Sequence, residues 1–362
     1  MKRNKQIWVF GAWFGQRYSD NCRSLYEYVN NNHNQIRCVW LARDEKTINE
    51  IRNSGFEAEK IWSIKGIWLS LKAGNVVFSS GLKDINQYFI NGAITYNLWH
   101  GAPLKKIGES NKFTKSIADS FVYNKIFPFL NGLKFDYLLS TSYYFNDFLS
   151  EAFCKEKNQI VTIGYPRNDV LINNSNGGKS EGFSRYQKII FYMPTFRDSR
   201  PKYDFFNGFN ADKFNTYLID NNILFVYKLH FMSPSVKISK SNIVDYDSLD
   251  VDFDLYEFLT DVDVLITDYS SVYFDYLLTG NQVILTPFDL QEYNKQDREF
   301  YFDYDELFCD AKCKDWNEVY KIITSQMKSD VTPSCRLKAM RKFNKNIEGN
   351  SSQKLAEEIM AK

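Results

Sequence analysis

Short apolar runs, each closed by glycine, serine, histidine or proline and followed by a segment with helical spacing, recur along this 362-residue chain. This alternation constrains the fold more than any other feature. Strands without a polar face must be covered on both sides, and strands alternating with helices meet that need in parallel α/β layers. Ile7–Phe10 reads as the first strand, ending at Gly11, with its crossover helix over Ser19–Asn30 and the next strand at Arg37–Leu41. A strand and a helix are expected within Ile61–Lys72. Asn75–Phe78 then ends in Ser79-Ser-Gly81, Ala93–Trp99 in His100-Gly101, Phe135–Leu139 in Ser140-Thr-Ser142, and Gln159–Ile163 in Gly164-Tyr-Pro-Arg167.

The polar, glycine-rich run 173–182 is the best linker in the sequence. The alternation restarts after it. Lys188–Tyr192 ends in Pro194-Thr-Phe-Arg-Asp198, Ile223–Leu229 ends in His230, Leu255–Leu259 is helical, and Val262–Thr267 and Gln282–Leu285 are further strands. Two domains follow from the length alone. The expected boundaries are 1–175 for a first α/β domain, 183–345 for a second, and 349–362 for a terminal helix. The expected fold is α/β, with two doubly wound domains facing across a cleft.

The stretch Val264–Tyr276 shows how a strand end becomes a site. A buried strand runs into Asp268, Ser270 and Ser271, and Tyr273, Phe274, Tyr276, Leu277 and Leu278 then form an apolar helical face. Aspartyl and seryl oxygens accept the orphan N–H groups of a first helical turn. Those N–H groups, with the positive end of the helix dipole, also suit a phosphate. Taken alone, the stretch is equally a capped helix with no further role. The number of strand ends built from similar residues favours a site.

Composition removes several classes. A net charge of +1 argues against a general nucleic-acid binder, which carries a marked basic excess. No apolar run has the length of a membrane span, and Met1–Gln6 leads straight into a strand without the apolar core of a signal peptide. Of the six cysteines only Cys309 and Cys313 lie close together, without the second pair of a zinc site, so reduced thiols in a cytoplasmic protein are expected.

Ligands of open parallel sheets bind outside the carboxyl ends of the strands. Of only three histidines, His100 and His230 fall at such ends, one in each half, while His33 lies in a polar loop. Arg197 follows another strand end, and a planar guanidinium suits a phosphate; its plainer reading is a surface ion pair with Asp198. No Walker motif is present, and Gly11-Ala-Trp-Phe-Gly15 does not match a dinucleotide fingerprint, which argues against ATP or NAD held in the usual manner.

The blocks Trp99-His-Gly-Ala-Pro-Leu-Lys-Lys106, Gly164-Tyr-Pro-Arg-Asn-Asp169, Met193-Pro-Thr-Phe-Arg-Asp198, Lys228-Leu-His230, Asp254-Leu-Tyr-Glu257, Ile266-Thr-Asp-Tyr-Ser-Ser-Val-Tyr-Phe-Asp275 and Arg298-Glu-Phe-Tyr-Phe-Asp303 occur in that order. Together they resemble the CDP-glycerol glycerophosphotransferase family of teichoic acid and capsule polymer synthesis. The resemblance implies an α/β, GT-B-like fold of two Rossmann-like domains, with 1–175 on the acceptor side and 183–345 binding the donor. The resemblance implies transfer of a polyol phosphate from CDP-glycerol, or from CDP-ribitol, to a hydroxyl of a lipid-linked or polysaccharide acceptor, with release of CMP. It implies His100 as catalytic base, joined by His230 and Asp275, with Asp275 orienting a histidine or binding a hydroxyl. Arg197, Thr195, Asp268, Ser270, Ser271 and Arg298 fall to the donor, although Asp268 is also readable as a loop holder. Gly101, Lys105 and Arg167 fall to the acceptor side. No cofactor or metal is expected, because fixed donors can neutralise the pyrophosphate.

Residues Asn111 to Lys134 interleave Phe113, Phe121, Tyr123, Phe127 and Phe129 with Lys112, Lys115, Lys125 and Lys134. Interfacial helices carry this pattern, and so does a buried helix pair. With a lipid-linked acceptor, the expected location is cytoplasmic and peripheral to the inner face of the membrane. A nucleotide-sugar glycosyltransferase of the same fold and a non-catalytic ligand-binding protein are the rival readings.

Overall fold

A computed structural model describes residues 2–110, 134–174, 177–230, 232–249, 254–326 and 334–362. The chain divides into two compact units, one of Met1–Ala102, Ile107–Asp169 and Phe343–Lys362, the other of Pro103–Lys106 and Val170–Lys342. The crossing between Asp169 and Val170 falls just before the glycine-rich run expected as the linker.

The first unit holds a seven-stranded sheet, with β1 (Asn4–Gly11), β2 (Arg37–Ala42), β3 (Ala58–Lys60), β4 (Ala73–Phe78), β5 (Ile94–Asn97), β6 (Tyr137–Ser140) and β7 (Ile160–Thr162). All neighbours are parallel, in the order 3-2-1-4-5-6-7. The second unit holds β8 (Lys188–Tyr192), β9 (Ile223–Tyr227), β10 (Ile243–Asp245), β11 (Val264–Thr267), β12 (Gln282–Leu285) and β13 (Ala311–Lys312), parallel in the order 10-9-8-11-12-13. Each sheet therefore has the doubly wound arrangement, and its strand order reverses once, between β1 and β4 and between β8 and β11. The loops that leave those strands are where such a sheet opens a crevice for ligands.

Burial explains why these runs are strands. Every residue of β4, β9 and β11 is buried, so each must share its backbone hydrogen bonds with a neighbour on both sides. Helix starts follow local chemistry. Asp44 caps Glu45–Asn53 by accepting from Thr47 N–H, Ser63 caps Ile64–Lys72 through Gly66 N–H, and Asp254 with Glu257 makes a capping box before Leu255–Asp261. The terminal helix Ser351–Ala361 joins the first unit. Asp169 accepts the N–H groups of Ser351 and Ser352, both at 2.8 Å, and Leu355, Ala356 and Ile359 pack into the core that contains Leu25, Tyr26 and Val29.

Candidate active site

In the second unit the crevice lies between the loops after β8 and β11, and one carboxylate ties them together. Asp268 accepts the N–H of Thr195 at 2.8 Å and that of Tyr269 through Oδ1, and the Arg197 guanidinium at 2.8 Å through Oδ2. Arg197 is only 1% exposed. Its Nε and Nη2 grip both oxygens of Asp289 at 2.8 Å, and the rings of Tyr203, Tyr269 and Tyr293 stand 4.8 to 5.0 Å from its central carbon. Burial works against ionisation of both partners. The ion pairs overcome it, raising the Arg197 pKa and holding the Asp289 carboxyl below its usual range.

Four of the five Arg197 N–H groups go to two carboxylates and the Thr195 carbonyl, so it fixes the loop. Asp198, its expected surface partner, pairs with Arg298 at 2.8 and 3.0 Å. Asp268 acts as the loop holder. Asp289, which completes the network, carried no sequence signal because it stands 92 positions beyond Arg197.

The seam after β11 differs in detail from the expected capped helix. Ser271 precedes the helix Val272–Tyr276 with no side-chain cap, and Ser270 Oγ accepts from Val272 N–H at 3.3 Å instead. Both serines are partly buried. Thr195 Oγ1 is buried with no hydrogen-bond partner among the described residues. Asp275 stands in the helix that follows this seam. It is fully buried and accepts the Tyr256 hydroxyl at 2.7 Å, which ties Val272–Tyr276 to the helix Leu255–Asp261.

His230 lies beyond β9 and is exposed. Its ring stacks on Phe196 with centroids 5.0 Å apart, and its Nδ1 faces Met232 N–H at 3.3 Å. Accepting there leaves the proton on Nε2 as a donor. Pro103–Lys106 lies along residues 299–301, with Leu104 C=O accepting from Tyr301 N–H at 3.1 Å and Lys106 N–H donating to Glu299 C=O at 2.8 Å. Lys105 points over the Tyr293 ring, 5.8 Å from its centroid. Burial, then repulsion from Arg298 and Arg197, pushes its pKa down to about 8 against the pull of Asp268 and Asp198.

In the first unit His100 stands after β5 on a tightly held turn. Trp99 has φ of +53°, and its N–H donates to Asn97 Oδ1 at 2.9 Å. The Trp99 carbonyl accepts from Asn21 Nδ2 at 2.9 Å, and the His100 carbonyl accepts from Arg167 at 2.9 Å. Arg167 is 5% exposed and pairs with Asp20 at 2.6 Å, so it helps to hold the His100 turn. The imidazole packs on Trp99 and Trp13, with centroids 4.0 and 5.3 Å away, and Nδ1 lies 3.4 Å from the Ser79 carbonyl. Gly101 is buried beside it. Asp20 and Asn21, which anchor this turn, lie far away in sequence and had no motif to mark them.

Among the described residues no group of three or more His, Cys, Asp or Glu side chains comes together as a metal site, and no helix is long and apolar enough to cross a membrane. The amphipathic run Asn111 to Lys134 lies outside the described residues, apart from Lys134.

Two doubly wound parallel sheets, each with polar side chains gathered beyond its carboxyl edge, define a GT-B-like α/β protein. Residues 1–361 match the model of the CDP-glycerol:poly(glycerophosphate) glycerophosphotransferase family, and the chain belongs to that family. It is 26% identical to a teichoic acid poly(glycerol phosphate) polymerase of Bacillus spizizenii over 99% of this chain and 93% of that one. A polymerase of the same description from Staphylococcus epidermidis is 28% identical over 82% of this chain, which spans 42% of that larger protein. Among solved structures, the wall teichoic acid polymerase TagF has the same fold, with a TM-score of 0.78 at 24% identity, covering 99% of this chain and 89% of that one.

Proposed function

We propose that the protein transfers glycerol phosphate from CDP-glycerol to a hydroxyl of a lipid-linked or polysaccharide acceptor in teichoic acid synthesis. Family membership carries the reaction class. The relatives named for glycerol phosphate, aligned over most of the chain, favour glycerol over ribitol. The observation that carries the donor site is His230, an exposed imidazole beyond a strand end whose Nδ1 accepts from Met232 N–H. An imidazole in that place can face a pyrophosphate oxygen.

In the reaction the acceptor oxygen bonds to the phosphorus that bears glycerol, and the bond from that phosphorus to the CMP oxygen breaks. His100 takes the hydroxyl proton, and the electron pair leaves on CMP. His230, Ser270, Ser271, Thr195, Arg298 and Lys105 supply donors and positive charge to the phosphates, so the step needs no metal or cofactor. The protein works at the inner face of the membrane as a peripheral enzyme, held there through residues 111–134.

Replacing His100 tests the base. His100→Ala lowers turnover about 100-fold or more, the usual worth of a positioned base, and leaves the Kd for CDP-glycerol nearly unchanged. Near-normal turnover would remove His100 from the chemistry.

A further inference from the structure

The motif Gly11-Ala-Trp-Phe-Gly15 fits no nucleotide fingerprint, and the structure gives it another role. After β1 the chain makes a turn in which Trp13 and Phe14 have φ of +47° and +59°. Non-glycine residues held there cost of order 1–3 kcal/mol each and persist only where the surroundings impose them. The surroundings do so here. Asp84 accepts Phe14 N–H at 2.7 Å, together with the N–H groups of Ser79 and Ser80 at 3.0 and 2.6 Å. Arg43 Nε donates to the Phe14 carbonyl at 2.7 Å. Gly11 is required, because a Cβ there would meet the Asp84 carbonyl at 2.3 Å.

Beside this turn a cavity of about 690 Å³ opens at the carboxyl ends of β1 and β2, lined by Gln16, Arg17, Tyr18, Arg43, Lys46 and Thr47 among others. Its walls are fixed by Arg43 N–H to the Gly15 carbonyl at 2.7 Å and Thr47 Oγ1 to the Gln16 carbonyl at 3.2 Å. Arg17, Arg43 and Lys46 face Asp44 and Glu50 in its lining, a net charge of +1. Asp44 is occupied as a helix cap on Thr47, whereas among the described residues the Arg43 side chain donates to the carbonyls of Phe14 and Lys83 and to no carboxylate. Lys46 is exposed and makes no ion pair or hydrogen bond among the described residues. The cavity is linked to His100 by side chains, because Arg17 lies over the Trp13 ring at 5.3 Å and Trp13 packs against His100.

We propose that this cavity is an acceptor subsite that takes a phosphate of the acceptor on Arg43 and Lys46, while the strained Trp13 turn leads the acceptor's free hydroxyl to His100. The inference rests on the reading of His100 as the base, and it names the acceptor as an anion. A polymer phosphodiester and the diphosphate of a lipid carrier share this chemistry.

Direct binding tests it without turnover. A short synthetic oligo(glycerol phosphate), a short-chain alkyl diphosphate and an uncharged polyglycerol of similar length are titrated into the whole protein by calorimetry. An anionic probe binds, binding weakens as salt rises, and polyglycerol does not bind. Whichever anion binds more tightly names the source. Arg43→Gln weakens that binding about tenfold, the worth of a charge-assisted hydrogen bond, and Lys46→Gln about threefold. CDP-glycerol affinity stays unchanged in both variants. Lys46 carries no structural bond, so Lys46→Gln keeps the wild-type melting temperature and remains informative even where Arg43→Gln misfolds. Equal binding of charged and uncharged oligomers, or unchanged affinity in the variants, would overturn the subsite. Intact anion binding without CMP release from CDP-glycerol would overturn the functional reading and leave the subsite standing.

Discussion

Arg197 shows how a residue suited to a phosphate can be used for something else. A guanidinium at 1% exposure needs compensation, and Asp268 and Asp289 provide it with hydrogen bonds of 2.8 Å. Removing one partner of a buried ionic network leaves uncompensated charge. Arg197→Met therefore destabilises the second unit by about 3–5 kcal/mol, measured by urea unfolding. A loss below about 1 kcal/mol, the range of an exposed pair, would show the network to be ornamental. Lys105 is the contrasting cation, partly buried and free of any carboxylate within ion-pair distance among the described residues. Its ammonium form predominates below its pKa of about 8 and is lost above it. If that charge meets the donor's phosphates, CDP-glycerol affinity falls as pH rises from about 7 to about 9, and Lys105→Met is weak and flat over the same range. A wild-type affinity independent of pH would take Lys105 out of the donor site.

At the scale of elements, the central strands were legible because they are wholly buried apolar runs, and β8 and β12 occupy the expected residues. Of the four edge strands, β7 falls within the expected run Gln159–Ile163, whereas β3, β10 and β13 lie in no such run and were missed. At three, three and two residues they are too short to show a period. The positions of His100, His230 and the Asp268–Ser271 seam could be read from strand ends, since a strand end is a local feature. The roles of Arg197, Arg167 and Asp275 could not, because each is decided by a partner distant in sequence, namely Asp289, Asp20 and Tyr256. The element that bears on location is Asn111 to Lys134. Its aromatic and lysine pattern predicts that replacing Phe127 and Phe129 with Ser lowers co-sedimentation with anionic vesicles while the melting temperature holds. Unfolding with no specific loss of vesicle binding would assign those rings to a core.

At the scale of the molecule, both units solve the same problem in the same way. Each has one strand-order reversal, and at each reversal a buried carboxylate collects backbone N–H groups from the two loops: Asp84 from Phe14, Ser79 and Ser80, and Asp268 from Thr195 and Tyr269. The loops so fixed carry the serines and the threonine assigned to the phosphates, and His100 and His230 stand at neighbouring strand ends. The central claim is the donor and the bond that breaks in it. The most direct measurement incubates the purified protein and an acceptor with CDP-glycerol, CDP-ribitol or a UDP-sugar in the presence of EDTA, and follows released nucleotide and the phosphorus NMR spectrum of the product. CMP released from CDP-glycerol, with a new phosphodiester resonance and no reaction of the UDP-sugar, is the predicted result. A glycosidic product with free nucleoside diphosphate, or activity abolished by EDTA and restored by magnesium, would contradict it.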